Sequence, residues 1–424
     1  LKNNKDIPFE GTSAELKPLP VEETPQAKSF SWLNAGQFAF SLIAVLSLLL
    51  ISLISFVAIT LGGISSDLGL LDTQVISSLL FTAGIGFAGI LLIPSAFYSG
   101  KRLFGKKPPV IVHWDKIAWL AYIFPIPILF GFLIQNNPTQ DLVLLPVIHV
   151  LANGASILWV LNLARMKLPS KSAQWNWGGF GTGLALSPAI TFIIEVALLL
   201  AIGIFWLVLI QTRPDLEGEI LYLLNFVNES SAGSEIPQKW VGEFLARSEV
   251  SGTIFIYFSL LIPLVEELLK PLAVYILLGR KLKPWEGFVL GATAGAGYAL
   301  FENLTIGAGA DTWTFVMVTR IGTAAIHILT TGLVGWGLAS AWTEKKYTRL
   351  AGSFIAAVVL HGVWNGLNIF TALADFPAYQ DQIGSFFVNF ARYAPVGLIV
   401  LALGSMIGLV RANSLLRRAI IAQD

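Results

Sequence analysis

Long stretches of this chain are apolar at every position, with short polar breaks recurring between them. Such segments fall at about 36–62, 74–98, 116–135, 141–164, 182–211, 251–279, 286–308, 313–342, 351–373 and 388–410. Most of them reach the ~20 residues a helix needs to cross the hydrocarbon core of a bilayer. The runs are continuous, without a strand's alternation, and backbone groups in lipid must be satisfied within the segment. The pattern therefore predicts an all-α fold, a polytopic transmembrane helical bundle of about ten spans. The third segment is interrupted by Pro125 and Pro127 and is expected to kink, since proline is tolerated inside bundles.

The polar breaks orient the bundle. One set of alternating loops carries Lys101, Arg102, Lys106, Lys107 and Lys116, then Arg165, Lys167 and Lys171, then Arg280, Lys281 and Lys283. The same side takes Lys345, Lys346 and Arg349, and finally Arg411, Arg417 and Arg418. The opposite loops hold Arg213, Lys239 and Arg247, all in the long segment 213–250, beside seven acidic residues. Basic loops stay in the cytoplasm, so both termini are expected there, in the cell (cytoplasmic) membrane. The chain then divides into a flexible cytoplasmic tail at 1–34, with four prolines, and a five-span region at 35–212. An outward-facing acidic loop follows at 213–250, then core spans at 251–410 and a basic cytoplasmic tail at 411–424. Within the loop, Ile220–Val227 has the composition of a short interfacial helix.

Composition agrees with the pattern. Of 424 residues, 55% are hydrophobic and 12% charged, with mean hydropathy +0.72. There is no cysteine, which excludes disulfides, thiolate nucleophiles and sulfur-ligated metals. A metal would have to use imidazole nitrogen and carboxylate oxygen. The net charge of +1 gives no case for a nucleic-acid partner.

Against this apolar background a few polar residues stand out. Pro263-Leu-Val-Glu-Glu-Leu-Leu-Lys-Pro271 places Glu266, Glu267 and Lys270 in the middle of the sixth segment. Charges there cost a few kcal/mol each on insertion scales of about 2.5–3.5 kcal/mol. On a helix Lys270 lies one turn from both acids. The seventh segment brings Gly295-Ala-Gly-Tyr298-Ala-Leu-Phe-Glu302-Asn303, where small residues permit close helix approach. The eighth carries Arg320 and His327 on roughly one face, and the ninth carries His361, Asn365 and Asn368 at helical spacing. Counted from the cytoplasmic ends at ~1.5 Å per residue, these groups fall between about 15 and 24 Å deep. The spans alternate in direction, so chain spacing alone does not produce that convergence.

Singly, each residue has a structural reading. An ion pair can lock helices together, an intramembrane His or Asn can be interhelical glue, and Arg320 can snorkel to the interface. His149 and Asn153 in the fourth segment and Glu195 in the fifth read as glue, Arg392 as a snorkelling cation, and His113 with Trp114 as interface anchors. Together, acids, imidazoles and an amide at one depth are the parts of a hydrolytic site. A desolvated carboxylate paired with another can take a proton from water. A neutral His or an Asn amide can steady an oxyanion, and Glu with His can hold zinc. A secondary transporter with midplane acids and a non-catalytic scaffold are the alternatives.

The order EELLK, YALFEN, an intramembrane His, then HGVWN resembles the PrsW family of intramembrane proteases, related to the CAAX prenyl-protein and bacteriocin-processing endopeptidases. The likeness covers roughly residues 250–370. Glu266, Glu267 and Lys270 match the first motif, Tyr298, Glu302 and Asn303 the second, and His327, His361 and Asn365 the later ones. Glu302 stands where CAAX-type relatives usually have His. The resemblance implies an endopeptidase acting on a membrane protein or peptide, with Glu266 or Glu267 activating water. His361 and Asn365 would stabilise the oxyanion, with Tyr298, Asn303 and Asn368 around the substrate. If a metal is used, zinc on Glu267, Glu302, His327 and His361 is the expected set. The other partner expected is the lipid bilayer.

Overall fold

The computed structural model describes residues 31–65, 73–106, 118–169, 172–229, 238–306, 309, 311–373 and 384–422. Among these residues the chain is helical, with no β-strand. Among the described residues, eight stretches are long and apolar enough to cross a membrane: 32–62, 74–103, 145–165, 173–212, 248–280, 313–344, 347–373 and 390–421.

The N-terminal half forms α1 (Trp32–Ser65), α2 (Thr73–Leu103), α3 (Pro125–Ile134), α4 (Pro138–Val143), α5 (Leu145–Arg165), α6 (Ala173–Gly181) and α7 (Ser187–Thr212). The third apolar segment is broken at its prolines. A 3-10 turn over Ala118–Ile123 ends where Pro125 starts α3. Both pieces run along α5, with Phe124 stacked on Trp159 at one end and Ile134 clustered with Leu145 at the other. A π turn over Thr182–Leu186 joins α6 to α7.

The segment 213–250 contains α8 (Pro214–Glu229) and α9 (Gln238–Ala246). The helix expected over Ile220–Val227 therefore exists and is twice as long. Arg213 bridges Asp215 and Glu249, and Arg247 bridges Asp215 and Glu219, all at 2.8–3.0 Å. His113, Trp114 and most of the expected N-terminal tail lie outside the described residues.

The C-terminal half comprises α10 (Ser248–Ile256), α11 (Ile262–Leu269), α12 (Leu272–Leu277), α13 (Pro284–Thr305), α14 (Trp313–Glu344), α15 (Tyr347–Leu373) and α16 (Gly384–Ile421). The last helix runs through most of the stretch expected as a basic tail, because Arg411, Arg417 and Arg418 sit on continuous helix rather than ending it. At 22 residues, α13 spans ~33 Å, yet its Gly- and Ala-rich sequence keeps it out of the most apolar class. It starts with Pro284 at the first helical position and the Lys283 N–H donating to the Glu286 carboxylate at 2.9 Å, a favourable N-terminus.

The helix α13 is buried along nearly its whole length, and its most extensive contact is with α14. Gly287, Gly291 and Gly295 recur every four residues and face the α14 backbone at Gly335, Thr331 and His327. A Cβ at Gly295 would stand 2.6 Å from the His327 carbonyl oxygen, so glycine sets the approach of the two helices. One core cluster unites Val45 of α1, Leu92 of α2 and Val160 of α5 with Ala296, Leu300, Ala325 and Leu409. The first, second and fourth N-terminal segments thus share a core with the C-terminal half.

Candidate active site

The sixth apolar segment is interrupted twice, and the interruptions aim its charges. A π turn over Tyr257–Leu261 precedes α11, and the helix stops at Leu269 before Pro271. Within α11, Glu267 is wholly buried and Glu266 nearly so; Lys270 follows at the break, also wholly buried. The Lys270 Nζ lies 2.8 Å from Glu266 Oε2 and 2.7 Å from Glu267 Oε1. It also donates to His327 Nδ1 at 2.6 Å, lies 3.3 Å from His361 Nδ1 and sits 4.9 Å above the Tyr298 ring.

Each imidazole is oriented by its own carboxylate. His327 Nε2 donates to Glu302 Oε2 at 2.7 Å, and His361 Nδ1 to Glu267 Oε1 at 3.0 Å. These bonds fix the tautomers and turn the opposite nitrogens inward, the arrangement that second-row carboxylates impose on metal-binding histidines. The rings stand 4.9 Å apart and nearly perpendicular. Glu302 is held in turn by Arg320 Nη2 at 3.0 Å, and Arg320 Nε donates to Asn303 Oδ1 at 2.6 Å. Arg320 is therefore not a snorkelling cation. A snorkel needs a route to water, and this guanidinium is buried against an acid and an amide.

The motif of α15 works through its small and amide residues. Gly362 packs directly on the Ser259 carbonyl, and Asn365 Nδ2 donates to the Phe258 carbonyl at 2.9 Å. The π turn leaves those carbonyls free, so both contacts dock α15 onto it and bring His361 against Glu267. The Asn365 amide, expected at the oxyanion, is committed to this backbone. Asn368 donates to the carbonyl of Trp364 in its own helix at 2.9 Å and does not join the cluster. Tyr298 does, with its ring 5.7 Å from that of His327.

One oxygen of Glu266 and one nitrogen each of His327 and His361 lie within 4.8 Å of one another. One carboxylate with two imidazoles is a donor set suited to catalytic zinc. The set differs from the expected one. Glu267 and Glu302 hold the outward imidazole nitrogens, which leaves Glu266 to face the centre. The chemistry fits a divalent cation, and the Lys270 ammonium lies against two of its donors, Glu266 Oε2 and His327 Nδ1.

The remaining polar residues separate. His149 accepts from Trp313 Nε1 at 3.2 Å, and Asn153 bonds back to the His149 carbonyl at 3.0 Å, forming a cluster apart from the site. Glu195 on α7 is different. Its backbone carbonyl accepts from Tyr257 Oη at 3.1 Å, its Oε1 is buried without a hydrogen-bond partner, and the charges of Glu266, Lys270 and Glu302 act on it. Its lone charge in an otherwise apolar helix was the available signal. Arg392 is exposed near the start of α16.

A bundle that buries two oriented imidazoles, two carboxylates and an ammonium, with a third, partly exposed carboxylate beside them, has the parts of an intramembrane hydrolase. Residues 216–393, under half of the chain, match the model of the PrsW family intramembrane metalloproteases, so that segment is similar to this family. The long apolar helices fit a multi-pass membrane protein. No curated protein and no solved structure matches the chain.

Proposed function

We propose that the protein hydrolyses a peptide bond of a membrane-protein substrate within the bilayer, with Glu266 taking the proton from the attacking water. The observation that carries this reading is the convergence of Glu266, His327 and His361 donor atoms within 4.8 Å. Glu267 is wholly buried and tied to Lys270 and His361, and Glu302 is tied to Arg320 and His327. Glu266, paired with Lys270 at 2.8 Å, keeps 11% of its side chain exposed, and its buried Oε2 stands 3.9 Å from His361 Nε2. That gap is too long for a direct hydrogen bond and suits a water bridging both groups. A carboxylate within reach of the water is the first requirement of a general base.

As water attacks, negative charge grows on the carbonyl oxygen. The Lys270 ammonium is the nearest cation to receive it, and a fixed donor in a dry site stabilises such charge strongly. Zinc held by Glu266, His327 and His361 would supply a Lewis acid and lower the pKa of its bound water, and the metal would then replace Glu266 in activating the nucleophile. Glu302, Glu267 and Arg320 act by holding the imidazoles. The loop charges support about ten crossings of the cytoplasmic membrane with cytoplasmic termini. In that orientation the Glu302 carboxylate, 38% exposed, lies near the outer end of α13.

The test is a purified protein with a membrane-tethered peptide reporter. Cleavage by the wild type, abolished in Glu266→Gln and His361→Ala, is expected. Uncleaved reporter with the folded wild type, or full cleavage by Glu266→Gln, overturns the reading.

A further inference from the structure

We infer that the Lys270 ammonium and a divalent cation are alternative occupants of one position, the lysine filling the metal point when no metal is bound and leaving it when one is. The inference builds on the protease reading for its purpose, but its measurement needs no substrate.

The geometry is direct. Nζ of Lys270 lies 2.8 Å from Glu266 Oε2 and 2.6 Å from His327 Nδ1, two of the inward donors, and 3.3 Å from His361 Nδ1, the nitrogen that faces Glu267. These are the three residues whose donor atoms gather within 4.8 Å. Zinc sits about 2.0–2.2 Å from nitrogen and oxygen ligands. Such an ion among these donors would meet the ammonium nearly in contact, and two cations cannot share that space. Both imidazoles have their outer nitrogens occupied by Glu302 and Glu267, so they have no second way to bind a metal.

The lysine has somewhere to go. It lies at the break between α11 and α12, beside Pro271, where no continuous helix holds its side chain. Of its present contacts, those to Glu267 Oε1 at 2.7 Å and the Tyr298 ring at 4.9 Å involve no metal donor and can be kept as it moves off Glu266 and His327. A cation–π contact and an ion pair then offset the bonds given up. The lysine then serves as a resident cation that keeps two acids and two imidazoles compatible with burial until a metal arrives.

Cobalt(II) is the probe, because its visible absorption reports ligand geometry, and the protein is purified without a histidine tag. Uptake is measured by titration calorimetry and absorption in wild type, Lys270→Gln and Lys270→Met. Removing the competitor is expected to tighten binding at least about tenfold, equivalent to about 1.4 kcal/mol. His361→Ala added to Lys270→Gln is expected to abolish the signal. Equal or weaker binding in both lysine variants, no uptake by any form, or a signal surviving the His361 change each overturns the inference.

Should both variants fail to fold, the wild type decides by nuclear magnetic resonance with isotopically labelled lysine and diamagnetic zinc. Saturating zinc is expected to move the Lys270 side-chain resonance, and an unmoved resonance overturns the exchange. A protein that exchanges lysine for metal yet cleaves no reporter refutes the protease reading alone. One that cleaves without such exchange refutes this inference alone.

Discussion

Two long helices of this bundle, α14 and α7, meet opposite fates. Most of α14 is buried inside the protein, whereas of α7 only Ser187, Pro188 and Thr191 near its start are. Large side chains such as Phe192, Leu200, Ile204 and Leu207 of α7 point away from the fold, each more than half exposed. In α14 the buried positions include Gly322, Thr323, His327, Thr330, Thr331 and Gly335. Lipid is as apolar as leucine, so helices gain nothing by hiding leucine from it. They associate through close backbone approach and interhelical hydrogen bonds. The less apolar helix therefore occupies the centre and carries the site, and the more apolar one forms the lipid-facing wall.

The largest effects that would sharpen this contrast are catalytic. Glu266→Gln and His361→Ala are expected to lower reporter cleavage about a hundred- to ten-thousand-fold, the range for removing a general acid or base. Glu195→Gln in α7 is expected to cost less than about tenfold, since a residue outside the cluster contributes less than a base. Equal losses at Glu195 and Glu266 in a cleavage assay would erase the distinction between core and wall.

Next come the buried charges. Glu267→Ala leaves Lys270 with a buried partner missing and is expected to destabilise by about 3–5 kcal/mol. Leu200→Ala on the exposed face of α7 should stay within about 0.5 kcal/mol. Denaturant unfolding in detergent micelles measures both. Packing follows. Gly291→Leu drives a side chain into the Thr331 carbonyl and is expected to cost about 1–3 kcal/mol or more, read as a lowered melting temperature. If Gly291→Leu melts with the wild type, close approach does not hold α13 to α14.

The smallest effect belongs to the Arg213 cluster outside the spans. Hydrogen bonds from Arg213 and then Arg247 hold the Asp215 carboxyl well below the usual carboxylate range, and Arg213 is correspondingly pushed up. A depressed carboxyl contributes stability that is fully present above its unfolded value of about 3.9. That contribution is lost only as pH falls through the lower folded value. The melting difference between wild type and Asp215→Asn should therefore be small and constant from neutral pH to about 4, and should shrink in salt.

Much of the site was legible before any coordinates. Glu266, Glu267, Lys270, Glu302, His327 and His361 announce themselves because ionisable residues are costly in a bilayer and rarely lie there without a task. Helical spacing put Lys270 beside both acids, and the ion pairs follow it. The partners across helices were not legible. Nothing in the spacing of Arg320 tells that Glu302 waits for it, so it read as a cation reaching for water. Nothing in His361-Gly-Val-Trp-Asn365 announces a π turn whose free carbonyl takes the Asn365 amide.

Hydropathy and charge along the chain sufficed for a helical membrane protein, because the bilayer acts on each segment separately and forces it into a helix. The same reasoning located the acids and imidazoles, since desolvation penalises each one wherever its helix ends up. Which nitrogen faces which oxygen was decided in space, by Gly287, Gly291 and Gly295 drawing α13 onto α14 and by Gly362 seating α15 on the π turn. Those contacts join residues far apart in sequence. Only their assembly turned Glu267 and Glu302 outward to hold imidazoles and left Glu266 and Lys270 facing the centre.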